Sequence, residues 1–222
     1  MPRIHFHLQL TELKEKLLSM AALAQEAVES SVEAYIQRDA ALCDYVQENE
    51  NAINAAQRAV DEMAYDLLAK EQPMAVDLRF ILAVIRINGD LERIGDQAMS
   101  TALRTRTLLA DQTADLPVDI LRMGNYASRM IRTSIRALLE GDVRLAESVR
   151  NMDDQIDQMN RRAHADLLQV IQQRTECAAQ ALQAIIISRN LERIADHATN
   201  IATDVIFWIR GADVRHQLST AE

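Results

Sequence analysis

The feature that most constrains the fold is a motif that this chain spells twice, one hundred residues apart. The stretch DLERIGDQA at 90–98 is matched by NLERIADHA at 190–198. Upstream, RDAALCDYVQENENAI at 38–53 aligns with GDVRLAESVRNMDDQI at 141–156 at an offset of 103, which also pairs Met20 with Met123. A repeat of about one hundred residues predicts tandem domains and not a solenoid of short units. We expect a first domain over 1–112 and a second over 113–222, each with its own unfolding transition.

Each unit contains three stretches with the apolar period of an α-helix. Five glycines, three prolines and only eight aromatic residues among 222 also favour long helices over a turn-rich β fold. The sequence predicts helices over 11–38, from Asp39 to about Lys70, over 75–110, from Pro117, over 142–173, and from Thr175 to Ile209. Asp39 and Asp142 are expected to cap the second and fifth helices, Pro117 to occupy the first position of the fourth, Thr175 to cap the sixth, and Gly211 to end it. The segment 110–117 is the expected linker. These elements describe an all-α protein.

Charge and hydropathy exclude several classes of function. The formal net charge of −9 disfavours nucleic acid as a partner and weakens attraction to anionic lipid. No run approaches the ~20 apolar residues that span a bilayer, and the first residues lack the apolar core of a signal peptide. Cys43 and Cys177 form no CxxC pair, so they predict two reduced thiols and no structural zinc site. We expect a cytoplasmic protein.

The repeated motif carries a carboxylate pair on one helix face: Glu92 with Asp96, and Glu192 with Asp196. Like charges at this spacing repel, and a bound cation would reverse the sign of that interaction. Oxygen ligands suit hard ions such as Mg²⁺, Mn²⁺, Ca²⁺ or Fe³⁺. Two carboxylates are too few for a site, so a neighbouring helix must contribute. Further candidates are Asp61, His164, which aligns with it, and Asn200, which extends the Glu192–Asp196 row.

A salt-bridge network is the competing interpretation, because Arg93 and Arg193 lie within reach of these acids. His197 projects about 100° from Asp196 on the helix, which favours a packed or solvated role. The sequence shows no nucleophile–base–acid set and no glycine-rich phosphate loop, and one tryptophan is too few for a sugar-binding cleft. An enzyme would therefore depend on a bound metal. A metal-dependent enzyme or a metal-storage bundle remains the alternative, although the Glu-x-x-His step of di-iron bundles is missing from both motifs.

The doubled LERIxD motif, EQPMAVDLR at 71–79 and FWIRGADVRH at 207–216 resemble the PhoU family of phosphate-transport regulators, and so do ELKEKLLSMA at 12–21 and AVDEMA at 59–64. The resemblance covers essentially the whole chain. It implies two three-helix bundles related by pseudo-two-fold symmetry, usually assembled into a homodimer. It also implies iron or zinc clusters on Glu92, Asp96, Glu192 and Asp196. The two metal sites are expected to be unequal, because Asn190 replaces Asp90 and His197 replaces Gln97 in the second copy of the motif.

The family also implies a function that composition and periodicity do not show. PhoU-type proteins are non-catalytic adaptors that dampen the phosphate-starvation response. The implied partners are the ATPase subunit of the phosphate ABC transporter and the phosphate-sensing histidine kinase. An acidic, all-helical chain without a catalytic constellation is compatible with that role.

Overall fold

Seven α-helices and one short 3-10 turn make up the regular structure of the computed structural model, which describes residues 2–109 and 114–211. They are α1 (Pro2–Gln37), α2 (Ala40–Glu71), α3 (Ala75–Leu108), α4 (Ile120–Glu140), α5 (Val143–Arg150), α6 (Asp153–Gln173), the 3-10 turn Thr175–Cys177 and α7 (Ala178–Arg210). The described chain contains no strand, so the all-α prediction is confirmed. The predicted division at residue 112 lies outside the described residues, as does part of the predicted linker.

The predicted helix ends at the two matched aspartates and at Gly211 are confirmed. Asp39 accepts a hydrogen bond from the Ala41 amide at the start of α2, and Asp142 accepts from the Arg144 and Leu145 amides at the start of α5. Gly211 ends α7 in the left-handed conformation that glycine adopts without steric cost. Local capping chemistry therefore sets these boundaries.

Three other helix boundaries differ from the prediction. Helix α1 begins at Pro2 and not at residue 11. Proline is tolerated in the first turn of a helix, so this start is compatible with the sequence. Helix α4 begins three residues after Pro117, since Asp119 accepts a hydrogen bond from the Arg122 amide and caps it. Thr175 opens the 3-10 turn and caps no α-helix.

The predicted fifth helix is broken into α5 and α6 at Asn151 and Met152. The Met152 amide bonds to the Val149 carbonyl in a tight turn, and its own carbonyl accepts a hydrogen bond from the Tyr126 hydroxyl at 3.0 Å. The matched residue in α2 is Asn49, whose side chain donates to the Leu23 carbonyl without interrupting the helix. A tertiary hydrogen bond thus accompanies the break in one copy of the repeat, and the other copy remains continuous.

Helices α1, α2 and α3 pack together as one three-helix unit, and α4, α5, α6 and α7 as the other. The units meet through equivalent helices, α3 against α7 and α1 against α4. Asn200 donates to Asp90 at 3.2 Å, and Asn190 donates to Ser100 at 3.1 Å, which is the same contact with the two halves exchanged. This reciprocity is the mark of a two-fold relation.

One hydrophobic core runs through both units and includes Leu17, Ile94, Met130 and Ile194. A smaller cluster around Leu167 and Ala181 lies beside the α6–α7 connection.

The helices in the described ranges include no segment with the length and hydropathy to cross a membrane.

Candidate metal centre

Four carboxylates from two adjacent helices converge in the second unit. Asp153 and Asp157 are one turn apart on α6, and Glu192 and Asp196 are one turn apart on α7. One oxygen each of Asp157, Glu192 and Asp196 lies within 4.8 Å of the others. Within 2–109 and 114–211, this is the one group of three or more acidic, histidine or cysteine side chains that are this close. The Thr199 hydroxyl donates to Asp153 at 3.1 Å and orients that carboxylate toward α7.

The carboxylates of this cluster raise one another's pKa. Desolvation raises the pKa of Asp196 to about 6, with Glu192, Asp153 and Asp157 adding to the shift, although part of the side chain remains exposed. Desolvation followed by the charge of Asp157 raises the pKa of Glu192. Desolvation also raises the pKa of Asp153, against the lowering effect of the Thr199 hydrogen bond. Arg161 lies 3.4 Å from Asp157, so the negative charge concentrated here is only partly offset by a cation.

The first unit has the matched arrangement with two differences. Glu92 and Asp96 on α3 face Glu50 on α2, and desolvation and the Asp96 charge raise the pKa of both glutamates. Asn54 stands where the second unit has Asp157. Arg93 lies 3.5 Å from both Glu92 and Asp96, so its guanidinium offsets part of the charge of this pair.

The salt-bridge interpretation thus holds for the first pair of the motif. Arg193 forms no ion pair with any carboxylate in the described part of the chain. The two sites differ in geometry at Asn54, which replaces Asp157, and at Arg93, which contacts both acids of its motif. The unequal binding expected from Asp90 against Asn190 and from Gln97 against His197 stays a prediction.

Three candidate residues lie away from the carboxylate cluster. Asp61 accepts a hydrogen bond from the Asn88 side chain at 2.9 Å and ties α2 to α3. Asn200 donates to Asp90 between the two units, and His164 is exposed on α6. His197 contacts Asp90 at 2.8 Å, in agreement with a packed role.

The residues that sequence reasoning missed are Asp153 and Asp157, with their counterparts Glu50 and Asn54. The sequence contained the pattern that identifies them. The offset of 103 aligns Asp153 with Glu50 and Asp157 with Asn54, and each pair has the same four-residue spacing as the motif pairs. The rotation of α6 against α7 could not be read from the sequence. Asp61 and His164 lie two to three turns further along the same helices and were chosen instead.

The donor set of the second unit fits a hard cation. It offers carboxylate oxygens from two helices, as Mg²⁺, Mn²⁺ and Fe³⁺ prefer, and no thiolate or imidazole belongs to the group. A bound cation would relieve the mutual repulsion that raises these pKa values. Zinc fits less well, because its sites in proteins are dominated by cysteine and histidine.

Comparison with known proteins agrees with the helical arrangement over nearly the whole chain. The model of the PhoU domain matches residues 17–105 and 120–205. A Pseudomonas putida protein named phosphate-specific transport system accessory protein PhoU homolog is 35% identical over 212 residues, which cover 95% of this chain and 83% of that protein.

Two crystal structures show the same fold. PhoU from Pseudomonas aeruginosa superposes with a TM-score of 0.90 at 33% identity and covers 93% of this chain and 100% of that one. The phosphate transport system regulatory protein PhoU from Streptococcus pneumoniae superposes with a TM-score of 0.87 at 27% identity, covering 94% and 99%. The relatives are accessory and regulatory proteins, not enzymes. From the doubled domain match and these similarities, the chain belongs to the PhoU family.

Proposed function

We propose that this protein is a cytoplasmic regulator of phosphate transport that represses the phosphate-starvation response when phosphate is plentiful. The family match carries the accessory role in phosphate transport. The proposed partners are the ATPase subunit of the phosphate transporter and the phosphate-sensing histidine kinase. The protein acts as a homodimer that links them, and it holds a metal ion on the carboxylates of α6 and α7.

The observation that carries the metal proposal is the convergence of Asp157, Glu192 and Asp196 within 4.8 Å. Asp153 completes the set, and Thr199 holds it in place. Iron in its ferric form or manganese fits these oxygens best, with magnesium as a weaker candidate. The matched site at Glu92 and Asp96 is expected to bind more weakly, because Arg93 competes with a cation there.

The metal site is tested by a paired substitution with a matched control. Glu192→Ala with Asp196→Ala is expected to weaken Mn²⁺ binding by more than about a hundredfold, beyond the effect of losing an outer-shell partner. The control is Glu62→Ala with Asp66→Ala, an exposed Glu-x-x-x-Asp pair on α2 outside the cluster. Calorimetry and elemental analysis of untagged protein measure the binding. Equal affinity in both variants would exclude the site.

The regulatory role is tested in a bacterium that lacks its own PhoU protein. A reporter of a phosphate-starvation promoter should be repressed in high phosphate by the wild-type chain. The Glu192/Asp196 variant shows whether the metal site contributes to repression. A wild-type chain that is produced and folded but does not repress the reporter contradicts the regulatory role, whatever its metal content.

A further inference from the structure

The outward face of the α1–α4 pair carries two stripes of opposite charge that the metal centre does not use. The acidic stripe is Glu26, Glu29 and Glu33 on α1, and the basic stripe is Arg129, Arg132 and Arg136 on α4. All six side chains are exposed, although Arg136 also pairs with Glu140 at 2.7 Å and Glu26 accepts a hydrogen bond from the Tyr45 hydroxyl. The members of each stripe are spaced three and four residues apart, so they share one helix face.

The internal repeat relates the two stripes residue by residue. The offset of 103 that pairs Ser31 with Ser134 places each glutamate of the acidic stripe on an arginine of the basic stripe. The hydrogen bonds of both serines are also matched, from Ser31 to the Val28 carbonyl and from Ser134 to the Ile131 carbonyl, each at 2.8 Å. The pseudo-two-fold relation that exchanges α1 and α4 therefore reverses the sign of this face.

The two helices run antiparallel across the face. The Lys14 ammonium donates to the Leu139 carbonyl at 2.8 Å, and Arg132 lies 3.4 Å from Glu29, its own equivalent in the repeat. An ion pair between equivalent residues lies on the pseudo-two-fold axis. The two stripes are thus side by side around the middle of the face.

Apolar surface accompanies the charges. Ile36 is 48% exposed, its equivalent Leu139 is 52% exposed, and Leu121 is 47% exposed. Ile36 and Leu121 line a groove with Val32 between α1 and α4, and no helix in the described part of the chain covers it. Apolar surface bordered by charged residues is the usual anatomy of a protein interface.

We propose that this face binds a second copy of the chain, with α1 of each protomer lying over α4 of its partner. The inference deepens the homodimer of the proposed function by naming its surface. In a two-fold dimer with its axis parallel to the helices, each acidic stripe meets a basic stripe on both sides of the axis. A foreign acidic segment would be attracted by one stripe and repelled by the other, so the face matches its own copy best.

The test reverses the outer charges of one stripe and leaves the Glu29–Arg132 pair intact. One variant carries Glu26→Arg and Glu33→Arg, and the other carries Arg129→Glu and Arg136→Glu. Sedimentation equilibrium should show a dimer for the wild type and on the order of a hundredfold weaker self-association for each variant, because like charges then face each other. The control, Glu62→Arg with Glu71→Arg on α2, makes the same change in net charge as the Glu26/Glu33 variant and should remain a dimer. Circular dichroism checks that every variant is folded.

Mixing the two charge-reversed variants is the decisive experiment. An equimolar mixture of the two variants should dimerise again, because both contacts in the mixed dimer pair opposite charges. A chain with all four substitutions should also dimerise with itself. Stripe variants that stay dimeric, or a mixture that fails to associate, would overturn this surface and leave the homodimer and the regulatory role standing. A monomeric wild type would overturn the dimer as well, and the face would then be open to another protein, while the metal and reporter tests would be unaffected.

Discussion

At the scale of single residues, neighbours in the repeated motif have opposite roles because successive side chains on a helix point about 100° apart. Ile94 and Ile194 are fully buried in the shared core, whereas the Arg93 side chain is 62% exposed and Arg193 is also exposed. Truncating either isoleucine to alanine should lower the free energy of unfolding by ~2–5 kcal/mol through lost burial and a residual cavity. Arg93→Ala should cost less than about 1 kcal/mol, as the loss of an exposed ion pair does, and Arg193→Ala, also at an exposed position, should cost no more. Urea denaturation of metal-free protein measures all four, and neutral isoleucine variants would show that the helix faces are misassigned.

A second prediction at this scale concerns Asp196, whose pKa desolvation and neighbouring carboxylates raise to about 6. In the unfolded chain its pKa returns to about 3.9, so between these values the folded state keeps a proton that the unfolded state has lost. The stabilising contribution of this group is complete below about pH 4 and is lost as the pH rises through 6. Asp196→Asn should therefore stabilise metal-free protein at pH 7 by on the order of 1 kcal/mol, after allowance for solvent screening, and have little effect at pH 4. Asp66→Asn, exposed on α2, is the control, and an equal effect at both pH values would contradict the prediction.

At the scale of helices, the equivalent helix pairs α2–α3 and α6–α7 place different charged groups at the repeated motif. In the second unit α6 brings Asp157 to the α7 carboxylates. In the first unit α2 brings Asn54 instead, while Arg93 partly offsets the charge of the α3 pair. Asn54→Asp combined with Arg93→Ala should restore the missing carboxylate and remove the competing cation. We expect the number of Mn²⁺ ions bound per chain to rise, with affinity approaching that of the second site. Calorimetry measures the stoichiometry, and Arg93→Ala alone separates the two contributions. Unchanged stoichiometry in the double variant would mean that the first unit cannot form such a site.

At the scale of the whole molecule, the continuous core argues against the separate unfolding transitions expected from the sequence. The single tryptophan, Trp208 on α7, packs on Phe80 of α3 with ring centroids 5.0 Å apart. The Trp208 carbonyl also accepts a hydrogen bond from Arg79 at 3.2 Å, so tryptophan fluorescence reports on the contact between the units. We expect far-ultraviolet circular dichroism and fluorescence to give coincident unfolding curves in metal-free protein. Ile94→Ala, in the first unit, should lower both midpoints equally. A variant that shifted the circular dichroism curve but not the fluorescence curve would establish independent units.

Much of the architecture could be predicted because its causes are local in the chain. Apolar periodicity identified the helices, the side chains of Asp39 and Asp142 fixed two helix starts, and the doubled motif predicted two related units. The pairs Glu92–Asp96 and Glu192–Asp196 were also visible, because a four-residue spacing places two side chains on one helix face in any surroundings.

Other features depend on how the helices are rotated and aligned against one another, which packing decides. The choice of Asp157 and not His164 as the neighbour of Glu192 and Asp196 is set by the register of α6 against α7. The break at Met152 coincides with a hydrogen bond from Tyr126 on α4 to its carbonyl. The pairing of Arg93 depends on side-chain positions that periodicity leaves open. The sequence by itself therefore determined most of the helices, the helix ends at Asp39, Asp142 and Gly211, and the repeat. Only the tertiary structure decided which oxygens converge, because contacts between helices depend on the packing of the shared core and not on spacing along the chain.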